Sequence, residues 1–310
     1  MVDPVKSQQI DLQKRARASR RLVLKGTLLN ANLAVAKMTG GILGHSFALI
    51  ADGAESALDI VTSLLLWSGL KVAAEPPDAD HPYGHGKAEA LAGMVTAVAI
   101  FVTIGFLGWH SVEMILTPHQ VPRWFTLPLL ALAIIFKEIF SRRLMSQQNR
   151  LMSSALQAEA WHQRGDVIIS VAAFIGITIA IIGGPGWETA DDWAALAACV
   201  IILRSPIAIC RASLNEMMDM AVSPQMNSAV RKIALGVSGV DAVEKCRTRK
   251  SGLGFLVDIH IEVRASRTVE DGHRIGHEVK DALLAGKLRI SDVLVHIEPT
   301  PPTRSGHSRG

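Results

Sequence analysis

The chain has 310 residues, 49% of them hydrophobic and 19% charged, with a net charge of +4. It is too apolar for an ordinary soluble enzyme and too polar for a protein made only of membrane helices, so a membrane part joined to a water-facing part is expected. The basic residues sit near the ends of apolar runs, which reads as a topology signal and not as a nucleic-acid surface.

The N-terminal segment, residues 1–21, is polar and basic and lacks a cleavable signal pattern, so the first apolar helix is expected to act as an uncleaved insertion signal. Six membrane helices are expected at about 22–44, 47–72, 88–115, 124–145, 155–184 and 190–212. Ala90–Trp109 and Val167–Trp187 hold no charged residue, and each is long enough to cross a hydrocarbon core of roughly 30 Å. The others are weaker. The first contains Asn30, Asn32 and Lys37, the fourth is apolar only from Trp124 to Phe136, and the sixth is broken by Arg204 and Pro206. Lys14, Arg15, Arg17, Arg20, Arg21 and Lys25 precede the first helix, and Arg142, Arg143 and Arg150 follow the fourth. That asymmetry places both termini in the cytoplasm.

After about residue 213 the pattern changes. A helix is expected over 224–237 and a strand over 241–249. In "FLVDIHIEV" (255–263) apolar and polar residues alternate, as in a half-buried strand. A helix at about 269–284 carries Ile275, Val279 and Leu283 on one stripe, and "DVLVHIE" (292–298) alternates again. The order αββαβ makes a small two-layer α+β domain over 213–299. Residues 300–310 read as a disordered tail. Cys199, Cys210 and Cys246 are odd in number and form no CxxC pair, so neither a disulfide framework nor a thiolate metal site is indicated.

Within the second helix, "ADGAESALD" (51–59) carries Asp52, Glu55 and Asp59. Facing lipid, three such acids would cost about 8–10 kcal/mol. They are spaced three and four apart, so they share one helix face, which must meet protein, water or a cation. The fifth helix contains "AEAWHQRGD" (158–166), with Glu159, His162 and Asp166 in the same spacing. If the two faces pair, Glu55, Asp59, His162 and Asp166 supply three carboxylates and an imidazole, a four-coordinate site for a divalent metal. Such donors suit zinc, iron, cobalt or manganese better than copper(I). The plainer alternative is a polar stripe near the membrane interface.

Asp78, His81 and His85 in "PPDADHPYGHGKAEA" lie close enough to bind metal, and Gly84 permits a tight turn; a solvated polar loop is the alternative. "GHGK" lacks the remaining glycines and the Ser/Thr of a phosphate loop. His260 and Glu262 share the polar face of one strand, His296 and Glu298 a face of the last, and His273 and His277 stand one turn apart. Solvent-facing polar surfaces explain these as well as metal binding does.

Taken as a set, "HSFALIADGAESALD", "DADHPYGHGKAEAL", "AEAWHQRGD" and "CRTRKSG…VDIHIEV…SDVLVHIEP" resemble the cation diffusion facilitator family, most of all its bacterial zinc and iron exporters. The resemblance covers the chain from the first helix to about residue 299. It implies a homodimer in the inner membrane, with six helices per protomer and a ferredoxin-like cytoplasmic domain. It also implies alternating access, in which inward proton flow drives divalent metal out of the cytoplasm. By motif, Glu55, Asp59, His162 and Asp166 form the transport site, with Asp52 and Glu159 one turn away as supporting or proton-path groups. The family commonly has Asp or His where Glu55 stands. Asp78, His81 and His85 match a loop metal site. His260, His273, His296 and Glu298 match positions that hold a regulatory metal pair, and Glu244 stands where another His is often found. Lys87 and Asp219 match a charge pair that helps lock the dimer. Zinc is the implied cargo and regulatory ligand, iron(II) is next, and cobalt, cadmium and manganese are the other candidate ions, with protons as counter-ion.

A membrane metal sensor using the same ligands would require a further output domain, and none follows the α+β domain. A monovalent cation/proton antiporter would have no need of His162 or the C-terminal histidines. An enzyme is least supported, since no nucleophile–base constellation or nucleotide motif is present.

Overall fold

Helix formers dominate the N-terminal two-thirds of the chain, described in a computed structural model. It covers residues 4–43, 47–117, 126–151, 153–184, 186–187, 189–286 and 288–301; side chains at 4–9, 11–12, 40–41, 43, 47–55, 58, 126, 149 and 191 lie outside the description. Helix α1 (Pro4–Leu43) begins far ahead of the expected membrane span. Proline suits a first helical turn, and no Gly or Pro interrupts residues 5–25, so the basic segment continues the helix. Then come α2 (Phe47–Val72), α3 (Lys87–Leu116), α4 (Thr126–Leu151), α5 (Ser154–Gly183), α6 (Ala190–Ile202) and α7 (Arg204–Met217). The sixth expected span is α6 and α7 together. The break falls at Leu203, and Pro206 sits in the first turn of α7, where a missing N–H costs nothing.

Among the described residues, Lys87–Leu116, Ser154–Gly183 and Asp192–Met217 are long and apolar enough to cross a membrane. The apolar run of α4 is interrupted by Lys137, Glu138, Arg142 and Arg143. Val95, Val98, Val102 and Phe106 on α3 and Val171, Ile175 and Ile182 on α5 point outward and exposed, as lipid-facing side chains do. Inward positions are small: Ala90, Gly93 and Ala97 on α3, and Ala158 and Gly165 on α5, are buried, which lets the helices approach closely. Helix α5 packs against α3, α4, α6 and α7 and touches α2. Its N-terminus is capped by the Ser153 hydroxyl, which accepts from the Leu156 N–H at 3.1 Å.

The chain divides into two units, Arg15–Met217 and Met218–Gly310 with Met1–Lys14. The C-terminal unit contains α8 (Pro224–Leu235), β1 (Ala242–Ser251), β2 (Gly254–Val263), α9 (Val269–Ala285) and β3 (Ile290–Pro299). This is the expected αββαβ order of a ferredoxin-like domain. The sheet runs β1-β2-β3, with β1 antiparallel and β3 parallel to β2. The parallel pair needs a crossover, which α9 supplies. Val257, Ile259, Ile261 and Val263 face inward against Ile275, Val279 and Leu283, so the opposite face of the sheet carries the polar set.

Candidate metal centre

Helices α2 and α5 bring Asp59 and His162 together across 103 residues of sequence. His162 Nε2 lies 3.1 Å from Asp59 Oδ1 and its Nδ1 lies 3.9 Å from Asp166 Oδ1. Two donors about 2.0–2.1 Å from one tetrahedral ion stand about 3.3–3.4 Å apart, and an imidazole gives one ion a single nitrogen, so the Nε2–Asp59 spacing is already near that of a ligand pair. One ligand atom from each of Asp59, His162 and Asp166 can be chosen so that all lie within 4.8 Å of one another. Their side chains are 8%, 4% and 10% exposed. Beside His162 and Asp166 a cleft is lined by Ile100, Thr103, Ile104, Ile169 and Ile202.

Glu159, one turn before His162, is buried and accepts from Gln163 Nε2 at 3.0 Å and Ser63 Oγ at 3.3 Å. It thus ties α5 to α2 one turn from the ligand cluster. Asp52 and Glu55 lie in α2, but their side chains are outside those described.

The structure also places in this cluster a residue that the sequence reading does not single out. Lys137 on α4 is buried, with Nζ 2.9 Å from Asp166 Oδ2 and 3.7 Å from Asp59 Oδ2. A second buried lysine, Lys37 on α1, donates to Ser56 Oγ at 3.2 Å, close to Asp59 on α2. The next residue after Lys137, Glu138, turns elsewhere and takes Arg164 with both oxygens, at 3.0 and 2.9 Å.

In the loop after α2, Asp78 sits 3.5 Å from His81 Nδ1 and 3.5 Å from His85 Nε2. The His81 backbone N–H donates to Asp78 Oδ1 at 2.6 Å and holds that carboxyl below its usual 3.8. Gly84 closes the turn at φ +78, a conformation that favours glycine. Three potential ligands therefore converge here too.

On the polar face of the sheet, parallel register sets His260 beside His296 and Glu262 beside Glu298. His260 Nδ1 lies 2.7 Å from Glu298 Oε1, and His296 Nε2 lies 3.5 Å from the same oxygen. Glu244, at a register shift in β1 between Val243 and Lys245, reaches to 3.7 Å from His260; such bulges re-aim side chains. His273 does not join this group within one chain. It lies exposed on α9, its ring 4.6 Å from that of His277, in the helical layer that covers the other face of the sheet. Lys87 donates to the Met217 carbonyl at 3.2 Å, and Asp219 accepts from Arg249 at 3.1 Å.

The hydrogen bond from His260 holds the Glu298 carboxyl below its usual 4.5. A depressed carboxyl contributes stability that is fully present above the unfolded value and is lost as pH falls through the folded one. The difference in thermal midpoint between the protein and its Glu298→Gln variant should therefore shrink as pH falls below about 4.5. A difference that persists unchanged into strong acid would refute this role for Glu298.

Two buried carboxylates and an imidazole gathered on facing helices, in a chain that also carries a small α+β domain, define a class: integral membrane proteins that pass divalent metal ions. The chain belongs to the cation efflux family, also called cation diffusion facilitators. Its residues 23–218 match the family's "cation efflux transmembrane domain" and residues 222–300 its "cation efflux protein, cytoplasmic domain". The manganese efflux system protein MneP of Bacillus subtilis is 28% identical over 92% of this chain and 98% of its own length. Metal tolerance protein 2 of Oryza sativa is 30% identical over 92% of this chain and 79% of its own. The magnetosome protein MamM of Magnetospirillum gryphiswaldense is 30% identical over 87% and 85%. Among solved structures, the C-terminal domain of MamM aligns at 29% identity over 24% of this chain and 96% of its own, with a TM-score of 0.24. Family membership makes divalent-cation efflux the activity class, in place of metal sensing or monovalent exchange, and the protein is a transporter and not an enzyme.

Proposed function

We propose that this chain exports zinc foremost, and iron(II) next, in exchange for protons, as a homodimer working by alternating access in the inner membrane. The observation that carries this reading is the convergence of Asp59, His162 and Asp166 on one buried point between α2 and α5. Glu55, four residues before Asp59 on α2, supplies the fourth donor. Each donor must be deprotonated to ligate, so metal entry expels protons and proton entry expels metal. Glu159 and Asp52 sit on the route those protons take. An imidazole among carboxylates favours a borderline ion over a hard one, which supports zinc and iron(II).

Manganese is the second reading, supported by the printed function of MneP. The membrane part is assigned to residues 22–212 and the metal-binding, dimer-forming part to 213–299. The concentration of Lys and Arg in the N-terminal half of α1 and the C-terminal part of α4 supports cytoplasmic termini. Glu298, His260 and His296, with Glu244, form a regulatory zinc site, and Asp78, His81 and His85 a site at the cytoplasmic entrance.

The test is flux through the purified protein in lipid vesicles, comparing zinc, iron(II), manganese, cobalt and cadmium while recording internal pH. Zinc should enter fastest and raise internal pH as protons leave. Manganese entering fastest would select the second reading, and metal entry without any pH change would overturn proton exchange.

A further inference from the structure

Lys137 stands in a part of α4 that is otherwise apolar, between Ile134-Ile135-Phe136 and Ile139-Phe140, apart from Glu138. It is only 4% exposed. An ammonium at that depth persists only when it is paired. Its partners are Asp166 Oδ2 at 2.9 Å and Asp59 Oδ2 at 3.7 Å, one carboxylate from α5 and one from α2. It therefore bridges the two helices through the same two groups that would ligate the metal. Glu138 does not compete for it, being held by Arg164.

A zinc ion draws carboxylate oxygens to about 2.0–2.2 Å. The ammonium sits on Oδ2 of each carboxylate while Oδ1 of each faces His162, so an ion drawn to the same carboxylates meets a like charge across them. Lysine has a flexible four-carbon stem and a point charge, so the ammonium can swing off the carboxylates and return without unfolding a helix. We infer that Lys137 is a tethered monovalent counter-ion. It occupies the transport carboxylates between turnovers, and it is exchanged for the metal when cargo binds and exchanged back when cargo leaves. It weakens metal binding and speeds release. This inference rests on reading Asp59, His162 and Asp166 as the transport site.

The test is zinc uptake by the full chain in vesicles at one fixed pH, with KM and maximal rate measured for the wild type and for Lys137→Met, Lys137→Gln, Lys137→Arg and Asp59→Ala. Removing the competitor in the Met and Gln variants should lower KM by about ten-fold, inside the 5–150-fold range of ordinary site coupling, and lower the maximal rate as release slows. The Arg variant places a rigid, multi-donor cation on the same carboxylates and should raise KM. A purely structural lysine would move all three variants in one direction, which would overturn the inference while flux in Asp59→Ala stays abolished. Retained flux in Asp59→Ala would overturn the site and this inference together. If the Met and Gln variants do not fold, the Arg variant decides alone, and a KM that does not rise refutes the competitor role.

Discussion

Asp59→Ala is expected to abolish zinc flux in vesicles, and Asp166→Ala to do the same. Asp59 is the only described group of α2 in the ligand cluster, so its loss removes the described donor that α2 gives the site, although the Ser63–Glu159 hydrogen bond still joins the two helices. Loss of even an outer partner of a metal ligand costs about 10–100-fold in affinity, so loss of a charged donor should cost at least about 100-fold. A second effect comes from Lys137, whose ammonium lies 3.7 Å from Asp59. Removing one member of a buried ionic cluster costs up to about 3–5 kcal/mol, less here because Asp166 remains at 2.9 Å. The thermal midpoint of Asp59→Ala should therefore fall along with flux. Adding Lys137→Met should leave flux abolished and, because it takes the ammonium from buried Asp166, should lower the midpoint further. Unchanged flux in either single aspartate variant would remove both residues from the transport site.

Glu89→Ala should be the most damaging change away from the ligands. Glu89 is fully buried in the first turn of α3, and its Oε1 accepts from the Ala155 N–H at 3.2 Å and the Ser154 hydroxyl at 3.3 Å. One carboxylate therefore serves two helix N-termini, and both helix dipoles favour negative charge there. Hydrogen bonds to a charged group contribute about 1.5–3 kcal/mol each, and alanine would leave the buried Ala155 N–H without this acceptor. A loss of about 2–4 kcal/mol is expected, seen as a clear drop in the thermal midpoint of the detergent-purified protein. Glu89→Gln keeps an acceptor and should lose less. Because α5 carries His162 and Asp166, flux near the new midpoint should fall as well. An unchanged midpoint in Glu89→Ala would contradict this account of the α3–α5 junction.

The C-terminal domain is legible because its signal is local. Alternation from Phe255 to Val263 is the burial pattern of β2 itself. The parallel pairing of β2 with β3 is not local, and neither is the side of the sheet that α9 covers. His273 therefore reads as a companion of His260 in sequence yet sits in the opposite layer. In the membrane part, the frame shared by "ADGAESALD" and "AEAWHQRGD" points to facing acids, since intramembrane charge needs a partner. Lys137 escapes the same logic because the apolar run of α4 ends at Phe136, so the lysine reads as a boundary. A lysine followed by more apolar residues, Ile139 and Phe140, is the signal that could have found it. Glu89 leaves no such trace: its partners, Ser154 and Ala155, lie more than sixty residues away and offer a hydroxyl and a backbone N–H.

The sheet ends at β1 on one side, and that strand turns Lys245 and Arg247 to solvent, with Arg249 and Lys250 half-exposed beside them. A strand edge is a template for joining another chain; here the Val222 N–H, which donates to the Thr248 carbonyl, and Arg231, which donates to the Val243 carbonyl, cover part of it, and a row of like charge is a further way proteins block it. Two copies of this domain brought together at β1 would face each other's cations along the seam. Self-association by lengthening the sheet there is disfavoured, which protects the domain from edge-to-edge aggregation and leaves its faces as the surfaces through which copies can meet.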